Sequence, residues 1–200
     1  MPKITAFDRY PEVYDRWFDE HPRTYQAEVQ ALERFVPWKG FGLEVGVGSA
    51  RFAVPLHIEV GLDSSPNMAL MARERGITAV IGVAEDLPFR DCTFDFVTMV
   101  TAICFFDDIF GAFAEAFRVA KPGAPLILGM IDRDGPLGRQ YEEDRDKSVF
   151  FSHARFYTVP AVVGLLEEAG FHRHEIVQTV FLDLCPGPSG FVVVSAYKDE

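Results

Sequence analysis

The chain has 200 residues, of which 48% are hydrophobic, and this is enough apolar material for one core, so we expect a single domain over residues 1–200. The formal net charge of -11 at pH 7 argues against a nucleic acid as partner, because phosphates would be repelled. The three cysteines are widely spaced, so we expect no disulfides. We see no signal peptide and no apolar run near the roughly 18 residues of a membrane span, so we expect a cytoplasmic protein without membrane contact.

Residues 1–40 are rich in aromatic side chains, and we expect them to form a helical cap on the rest of the chain. From Tyr25 onward, apolar residues recur at spacings of three and four, which predicts an amphipathic helix that begins near Pro22. Two roles are open for Tyr14 and Tyr25. They either pack across the edge of a sheet or close over a ligand.

The stretch FGLEVGVGSARFA, residues 41–53, predicts a strand, a turn and the start of a helix. The turn contains Gly46 and Gly48, and glycine lets the backbone approach a ligand where a Cβ would collide. A helix from Ser49 would point its free N–H groups at the same place. The next apolar run ends at Asp63, where a carboxylate at the strand tip can accept hydrogen bonds from two ribose hydroxyls. We therefore predict a nucleoside-binding βαβ unit.

The segments that follow alternate between strand and helix. The predicted strands cover residues 77–81, 94–100 and 125–131, and the predicted helices cover residues 66–75 and 109–119. Ser64 or Ser65 is placed to cap the first of these helices. Strands that alternate with helices at this spacing form a parallel sheet with helices on both faces.

The pattern changes after the last of these strands. Residues 132–157 begin with a long polar excursion, which predicts a lid or an inserted loop. A helix is expected from Thr158 as its N-cap. Two β-rich runs, 175–184 and 190–198, close the chain, and they must be antiparallel because a short turn joins them. The predicted fold class is α/β: a Rossmann-like, doubly wound, mostly parallel sheet with a C-terminal antiparallel hairpin.

Two classes of nucleoside ligand compete for the glycine turn. A dinucleotide fold favours a third glycine that permits close packing of the helix, and here that position is Arg51, a bulky residue. The mismatch disfavours a nucleotide-dependent oxidoreductase and leaves it as a minor alternative.

Five sequence motifs follow one another along the chain. They are Glu44-x-Gly46-x-Gly48-x-Ala50, Asp63-x-Ser65-x-x-Met68, Gly82-Val83-Ala84-Glu85-Asp86-Leu87-Pro88-Phe89, Phe94-Asp95-Phe96-Val97 and Arg118-Val119-x-Lys121-Pro122-Gly123. In this order they resemble the small class I S-adenosylmethionine-dependent methyltransferases of the type 11 kind, over about residues 10–198. The resemblance implies a seven-stranded sheet with its last strand antiparallel, S-adenosylmethionine as cofactor, and methyl transfer as the activity.

The resemblance also implies where the cofactor's methionine and ribose would lie. Glu44, Gly46 and Gly48 are expected along the methionine half, and Asp63 is expected on the ribose hydroxyls. Arg51 could pair with the cofactor's carboxylate, or it could be an ordinary surface arginine.

Other positions are implied around the adenine and the transferred methyl group. The residues expected to flank the adenine or meet its edge are Ser64, Met68, Ala84 and Glu85. Val100 and Thr101, just past the fourth strand, would lie near the cofactor's amino group and its methyl group.

The chain departs from the family pattern at three positions. The third glycine is Ala50, a small change that should be tolerated. Val83 stands where an acid is often found, so one polar contact to the adenine amine is expected to be absent. Cys104 and its neighbours replace a frequent histidine, which argues against histidine-based catalysis there. The chain also lacks an Asn-Pro-Pro-Tyr-like motif, which argues against methylation of adenine or glutamine amino groups.

A few polar residues outside these motifs have two interpretations. His153 could act as a general base or lie on the surface. Asp107 and Asp108 could cap a helix or bind a substrate amine. His172 and His174 have no partners in sequence that would complete a metal site, so no metal is expected.

We therefore expect direct transfer of the sulfonium methyl to an unidentified small-molecule acceptor. Because the sulfonium is already electrophilic, a base is needed only if the acceptor loses a proton on attack. The catalytic residues therefore stay unassigned. A non-enzymatic regulator that binds S-adenosylmethionine remains the alternative, and an apolar cavity beside the transferred methyl would favour the enzyme.

Overall fold

A computed structural model describes residues 4–180 and 188–199. Within these ranges the strands are β1 (Gly42–Val45), β2 (Val60–Asp63), β3 (Thr78–Ile81), β4 (Phe96–Val100), β5 (Pro125–Ile131), β6 (Phe171–Val180) and β7 (Pro188–Lys198). The α-helices are α1 (Ile4–Arg9), α2 (Pro11–Glu20), α3 (Pro22–Glu33), α4 (Pro66–Glu74), α5 (Ile109–Val119), α6 (Pro136–Glu143) and α7 (Val159–Glu168). Short 3-10 helices cover Ile103–Phe105, Arg145–Lys147 and Phe151–His153.

The strands form one seven-stranded sheet in the order β3-β2-β1-β4-β5-β7-β6. The first five strands pair in parallel, and Leu43 of β1 lies opposite Val60 on one side and Val97 on the other. β7 is antiparallel to both of its neighbours, β5 and β6. This topology confirms the predicted doubly wound sheet with its terminal antiparallel hairpin. It also brings the carboxyl ends of β1, β2 and β4 to one edge.

Apolar side chains cover both faces of the central strands. Every residue of β1 and β4 is buried. Leu43 and Val97 belong to a core cluster with Phe113 of α5, whereas Phe96 belongs to a second cluster with Leu32 of α3. Strands buried on both faces are typical of parallel sheets flanked by helices. The two clusters hold the strand ends, and therefore the loops that follow them, in fixed positions.

The segment after the glycine turn differs from the prediction. A helix from Ser49 was expected, and this prediction is wrong, because residues 46–57 form a series of turns. The N–H groups on either side of Pro55 each donate across one helical turn. Pro55 itself has no N–H, so the Arg51 carbonyl lacks a helical partner. The Tyr25 hydroxyl donates to that carbonyl instead.

The N-terminal part is helical as expected, whereas the inserted segment, residues 132–157, is more regular than expected. The N-terminal part forms α1, α2 and α3, and α3 begins at Pro22 as predicted. The inserted segment contains α6, which packs against β7. Residues 181–187, which hold part of the predicted hairpin turn, lie outside the described ranges. No helix within those ranges combines the length and the apolar character needed to cross a membrane.

Candidate active site

A first cavity, of about 140 Å³, opens at the carboxyl ends of β1, β2 and β4. Most of the predicted cofactor residues line it, namely Gly46, Gly48, Asp63, Ser64, Met68, Ala84, Glu85, Val100 and Thr101. Phe7 and Tyr14 of the N-terminal helices complete the wall. Glu44 and Arg51 are not part of it. The sheet edge thus brings residues from three separate motifs, and from the end of β4, to one cavity.

The glycine bend is shaped by close backbone contacts. The N–H groups of Gly46 and Val47 both donate to the Leu62 carbonyl, at 2.7 and 3.0 Å. Gly46 has a φ of 77°, and a Cβ added there would lie 2.5 Å from the Cβ of Ala102. A side chain at this position would therefore force the loop after β4 to shift.

Asp63 at the tip of β2 points toward the glycine bend. Its Oδ2 accepts a hydrogen bond from Gly48 N, and its Oδ1 accepts one from Ser65 N, both at 2.8 Å. Burial raises the pKa of this carboxyl, while the hydrogen bonds from Ser65 and Gly48 partly oppose the rise. Each carboxylate oxygen has lone pairs left for further donors. Two adjacent hydroxyls, as in a ribose, match this acceptor.

The absence of a side chain at Gly48 keeps the space between the bend and Tyr14 of α2 open. A Cβ added at Gly48 would lie 3.8 Å from the ring of Tyr14, so a larger side chain there would occupy the hollow. The backbone and the Asp63 carboxylate are therefore both open to a ligand. These residues fit a nucleoside that carries a ribose diol.

Glu44 lies in β1, directly before the bend, and has 1% of its surface exposed. Among the described residues its Oε2 has no hydrogen-bond partner. Burial raises the pKa of Glu44 well above its ordinary value, the negative charge of Asp63 adds to the rise, and a backbone hydrogen bond from Ala53 partly opposes it. The strand therefore holds a buried carboxyl group next to the first cavity, and its surroundings favour the neutral form more than water does.

Arg51 is held by two acids of α2. Its guanidinium donates to both oxygens of Asp15, at 2.8 and 2.7 Å, and to both oxygens of Asp19, at 2.8 Å each. It would have to leave these partners to reach a ligand carboxylate, so that role stays a prediction. Asp15 also accepts hydrogen bonds from Ser49 and Arg75.

Glu85 links two loops at the far side of the first cavity. Its Oε1 accepts hydrogen bonds from the N–H groups of Asp107 and Asp108, at 2.9 and 3.1 Å. Asp108 stands at the N-cap position of α5, although its side chain makes no capping hydrogen bond. In α4 the cap is Ser65, whose side chain accepts from Met68 N at 3.2 Å.

A second cavity, of about 260 Å³, lies beside the first and is rich in aromatic side chains. Its rings come from Tyr14, Trp17, Phe18, Phe52, Tyr141, Phe150, Phe151, Phe156 and Tyr157. The inserted segment supplies several of these rings, and α2 supplies most of the others. Tyr14 and Thr101 line both cavities. The two cavities therefore meet at one tyrosine and one threonine.

The remaining candidate residues differ in whether they line a cavity. Tyr14 reaches both cavities, whereas Tyr25 lines neither and bonds to the Arg51 carbonyl. His153 is exposed and lies outside both walls. Cys104 is buried in the wall of the second cavity.

Glu28 is a site residue that the sequence analysis missed. It lines the second cavity from α3 and is 4% exposed. A signal was present in the sequence, because Glu28 falls in the same apolar stripe as Tyr25, Val29 and Leu32. An acid at a helix position that repeats with buried apolar residues is unusual enough to mark as a candidate.

Comparisons with known proteins agree with this geometry. A family model described as a methyltransferase domain matches residues 43–128. The solved structure of an S-adenosylmethionine-dependent methyltransferase from Thermotoga maritima, described as a possible histamine N-methyltransferase, has a TM-score of 0.93 and 41% identity, and the match covers 98% of this chain and 100% of that chain. The chain belongs to the S-adenosylmethionine-dependent methyltransferases.

Curated relatives of this methyltransferase include both close and partial matches. An uncharacterized protein of Methanocaldococcus jannaschii is 42% identical, over 98% of this chain and the full length of the relative. A demethylmenaquinone methyltransferase of Anoxybacillus flavithermus is 32% identical, over 60% of this chain and 61% of its own. The cofactor of the family is S-adenosylmethionine, which supplies an electrophilic methyl group on a sulfonium.

Proposed function

We propose that this methyltransferase binds S-adenosylmethionine in the first cavity and transfers its methyl group to a small molecule held in the second. The observation that supports this assignment is the shared wall: Tyr14 and Thr101 line both cavities. A methyl group at the junction would be within reach of an acceptor on the other side.

In this proposal each part of the first cavity holds one part of the cofactor. Gly46 and Gly48 let the backbone approach the methionine half, and Asp63 accepts hydrogen bonds from the ribose hydroxyls. The residues placed around the adenine are Ser64, Met68, Ala84 and Glu85. Val100 and Thr101 lie nearest the amino group and the transferred methyl.

Catalysis then rests mainly on position. Two reactants held in line at about 3 to 3.5 Å react far faster than they do in dilute solution. The inserted segment and the N-terminal cap serve as the groups that exclude water from this junction. Phe7 supports this role, because its ring lies 5.3 Å from that of Tyr14, 5.0 Å from Phe105 and 5.2 Å from Phe150.

The second cavity also weighs against the alternatives. A regulator that only binds the cofactor needs no acceptor site, and side chains would then fill the space beside the methyl group. Here about 260 Å³ is open at that place. A dinucleotide-dependent oxidoreductase would have a helix packed closely against the glycine turn, whereas residues 49–57 form turns there.

Calorimetry with S-adenosylmethionine tests the cofactor site. We expect the wild type to bind the cofactor and Asp63→Ala to bind it 10- to 100-fold more weakly, since hydrogen bonds to a charged group contribute about 1.5–3 kcal/mol. NAD should give no heat of binding. Absence of S-adenosylmethionine binding in the wild type would end the proposal.

Asp95→Ala is the matched control. Asp95 also accepts a hydrogen bond from a backbone N–H, that of Phe41 at 2.8 Å, but it lies at the opposite end of the sheet. The control should bind the cofactor as the wild type does. A regulator would bind the cofactor equally well and would methylate none of a broad set of small molecules that includes amines and quinones.

A further inference from the structure

The second cavity contains one buried acid among its aromatic rings. Glu28 is 4% exposed and lines this cavity, and no hydrogen bond to its carboxyl offsets the effect of burial on its pKa. Buried polar groups are almost always paired, and a carboxyl left without a partner in an apolar wall costs free energy. This position is therefore a candidate for pairing with a ligand.

The charge of the cavity wall has one sign. Glu28 and Glu20 are the charged residues that line it, and Glu20 is exposed at the margin. The lining residues that the structure describes include no Lys, Arg or His. Aromatic faces such as those of Trp17 and Tyr141 attract cations through the negative charge of the ring. The wall thus favours a positively charged or basic ligand over an anion.

We propose that the methyl acceptor is an organic amine with a ring-sized apolar body, and that Glu28 holds the amine nitrogen and accepts its proton. This inference rests on the proposed function and adds the class of acceptor and the residue that selects it. The rings of the wall would surround the apolar body of the amine.

Glu28 and Tyr14 both line the second cavity, and Tyr14 also lines the first. The pKa of the Tyr14 hydroxyl is raised above its ordinary value, mainly by burial, and in smaller part by the negative charges of Glu28 and Asp63. Tyr14 thus responds to one acid in each cavity. An amine held by Glu28 would therefore lie on the acceptor side of this tyrosine, close to the methyl donor.

The proton balance of the step requires such a group. An ammonium has no free electron pair, so one N–H bond must break, and its proton passes to the Glu28 carboxylate. The freed pair of the nitrogen forms the new bond to the methyl carbon, the bond between that carbon and the sulfur breaks, and sulfur keeps that electron pair. The product nitrogen carries the positive charge and loses a further proton to water after release.

The pKa of Glu28 suits a proton acceptor. Burial raises it to about 8 in the free protein, so the neutral form is favoured there. The positive charge of a bound ammonium favours the carboxylate form, which then accepts the proton that the nitrogen loses. The other titratable groups that line the same cavity are Tyr14, Glu20, Cys104, Tyr141 and Tyr157. Burial, and next the charge of Glu28, raise the pKa of Tyr141 to about 12, so Tyr14 and Tyr141 stay neutral where Glu28 titrates.

Methylation assays by mass spectrometry test the inference, with 2-phenylethylamine, tryptamine and histamine as probes and 2-phenylethanol as the neutral counterpart. We expect the wild type to methylate at least one of the amines and not the alcohol. Glu28→Gln should lower kcat/KM for that amine by 10²-fold or more, which is the usual contribution of a positioned base. Its affinity for S-adenosylmethionine, measured by calorimetry, should be unchanged.

Glu33→Gln is the matched control, because Glu33 is an exposed residue of the same helix. It should retain wild-type kcat/KM. The inference is overturned if the cofactor-loaded wild type methylates none of the three amines, if it methylates the alcohol equally well, or if Glu28→Gln keeps its rate within a few-fold. Failure to bind S-adenosylmethionine would instead contradict the proposed function itself, so the two failures are distinguishable.

Discussion

At the scale of single residues, Glu28 and Glu44 are two carboxyl groups that the fold buries without pairing them fully. Burial raises the pKa of both, so the folded protein favours their neutral forms. An apolar side chain of similar size would avoid this cost. Residues that oppose stability in this way are commonly found at functional sites, where a ligand supplies the missing partner.

Glu28 gives a prediction about stability. Its folded pKa of about 8 lies above the ordinary value of 4.5, so the folded state binds more protons between these pH values. Its contribution to the free energy of unfolding therefore falls as the pH rises from 4.5 to 8, by up to roughly 5 kcal/mol. Urea unfolding should show Glu28→Gln to be more stable than the wild type at pH 8. At pH 4.5 the two proteins should differ little, and equal stability at both pH values would contradict the buried, unpaired carboxyl.

Residues close to one sequence motif were easier to predict than residues that line the second cavity. Asp63 and the glycines follow strand ends that the sequence defines, and the sheet then brings them together. The second cavity combines Glu28 with Cys104 and Tyr141, which lie far apart in the chain. Only packing of the N-terminal helices and the inserted segment unites them, and periodicity carries no information about that packing.

At the scale of elements, the parallel sheet was predictable because strand and helix patterns alternate along the chain. The helix expected after the glycine turn was not observed, because Pro55 removes one donor in the middle of a short segment. The inserted segment was predicted as irregular, since its polar sequence hides the short amphipathic helix α6. Local composition therefore predicted the strands better than the connections.

The glycine bend gives a prediction at this scale. Gly46→Ala places a Cβ 2.5 Å from that of Ala102 at a φ of 77°, whereas Gly76→Ala has a φ of 89° and no atom within 4 Å of the new Cβ. In both variants the strained backbone conformation should lower the free energy of unfolding by about 1–2 kcal/mol. Gly46→Ala should lose roughly 1–3 kcal/mol more because of the collision. Denaturation midpoints compare the two variants. Equal losses of stability would show that the loop after β4 shifts to accept the new Cβ at little cost in free energy.

At the scale of the whole molecule, Asp15 ties the N-terminal helices to the cofactor side of the sheet. Its carboxylate accepts hydrogen bonds from Ser49 and Arg51 in the turn segment and from Arg75 at the end of α4. Burial alone would raise the pKa of Asp15, but these donors hold it well below its ordinary value. The carboxylate therefore stabilises the fold above pH 3.8, and this contribution is lost as the pH falls.

Asp15→Asn should lower the free energy of unfolding at pH 7 by roughly 2–4 kcal/mol, because two partly buried guanidinium groups lose their charged partner. Hydrogen exchange of the α2 amides should accelerate as well. Asp19→Asn is the control, since the side chain of Asp19 is 64% exposed and, among the described residues, forms its ion pair with Arg51 only. It should cost at most about 1 kcal/mol. A loss as large as that of Asp15→Asn would mean that both acids anchor α2 equally.

The two cavities that share Tyr14 and Thr101 are built from different parts of the chain. In the proposed assignment the methyl donor is held by strand tips and the loops directly after them, whereas much of the proposed acceptor site comes from α2, α3 and residues 132–157. Exchanging those appended stretches would redirect the chemistry to another recipient and leave donor binding almost untouched. Diversification within this architecture is therefore expected to concentrate in its appendages.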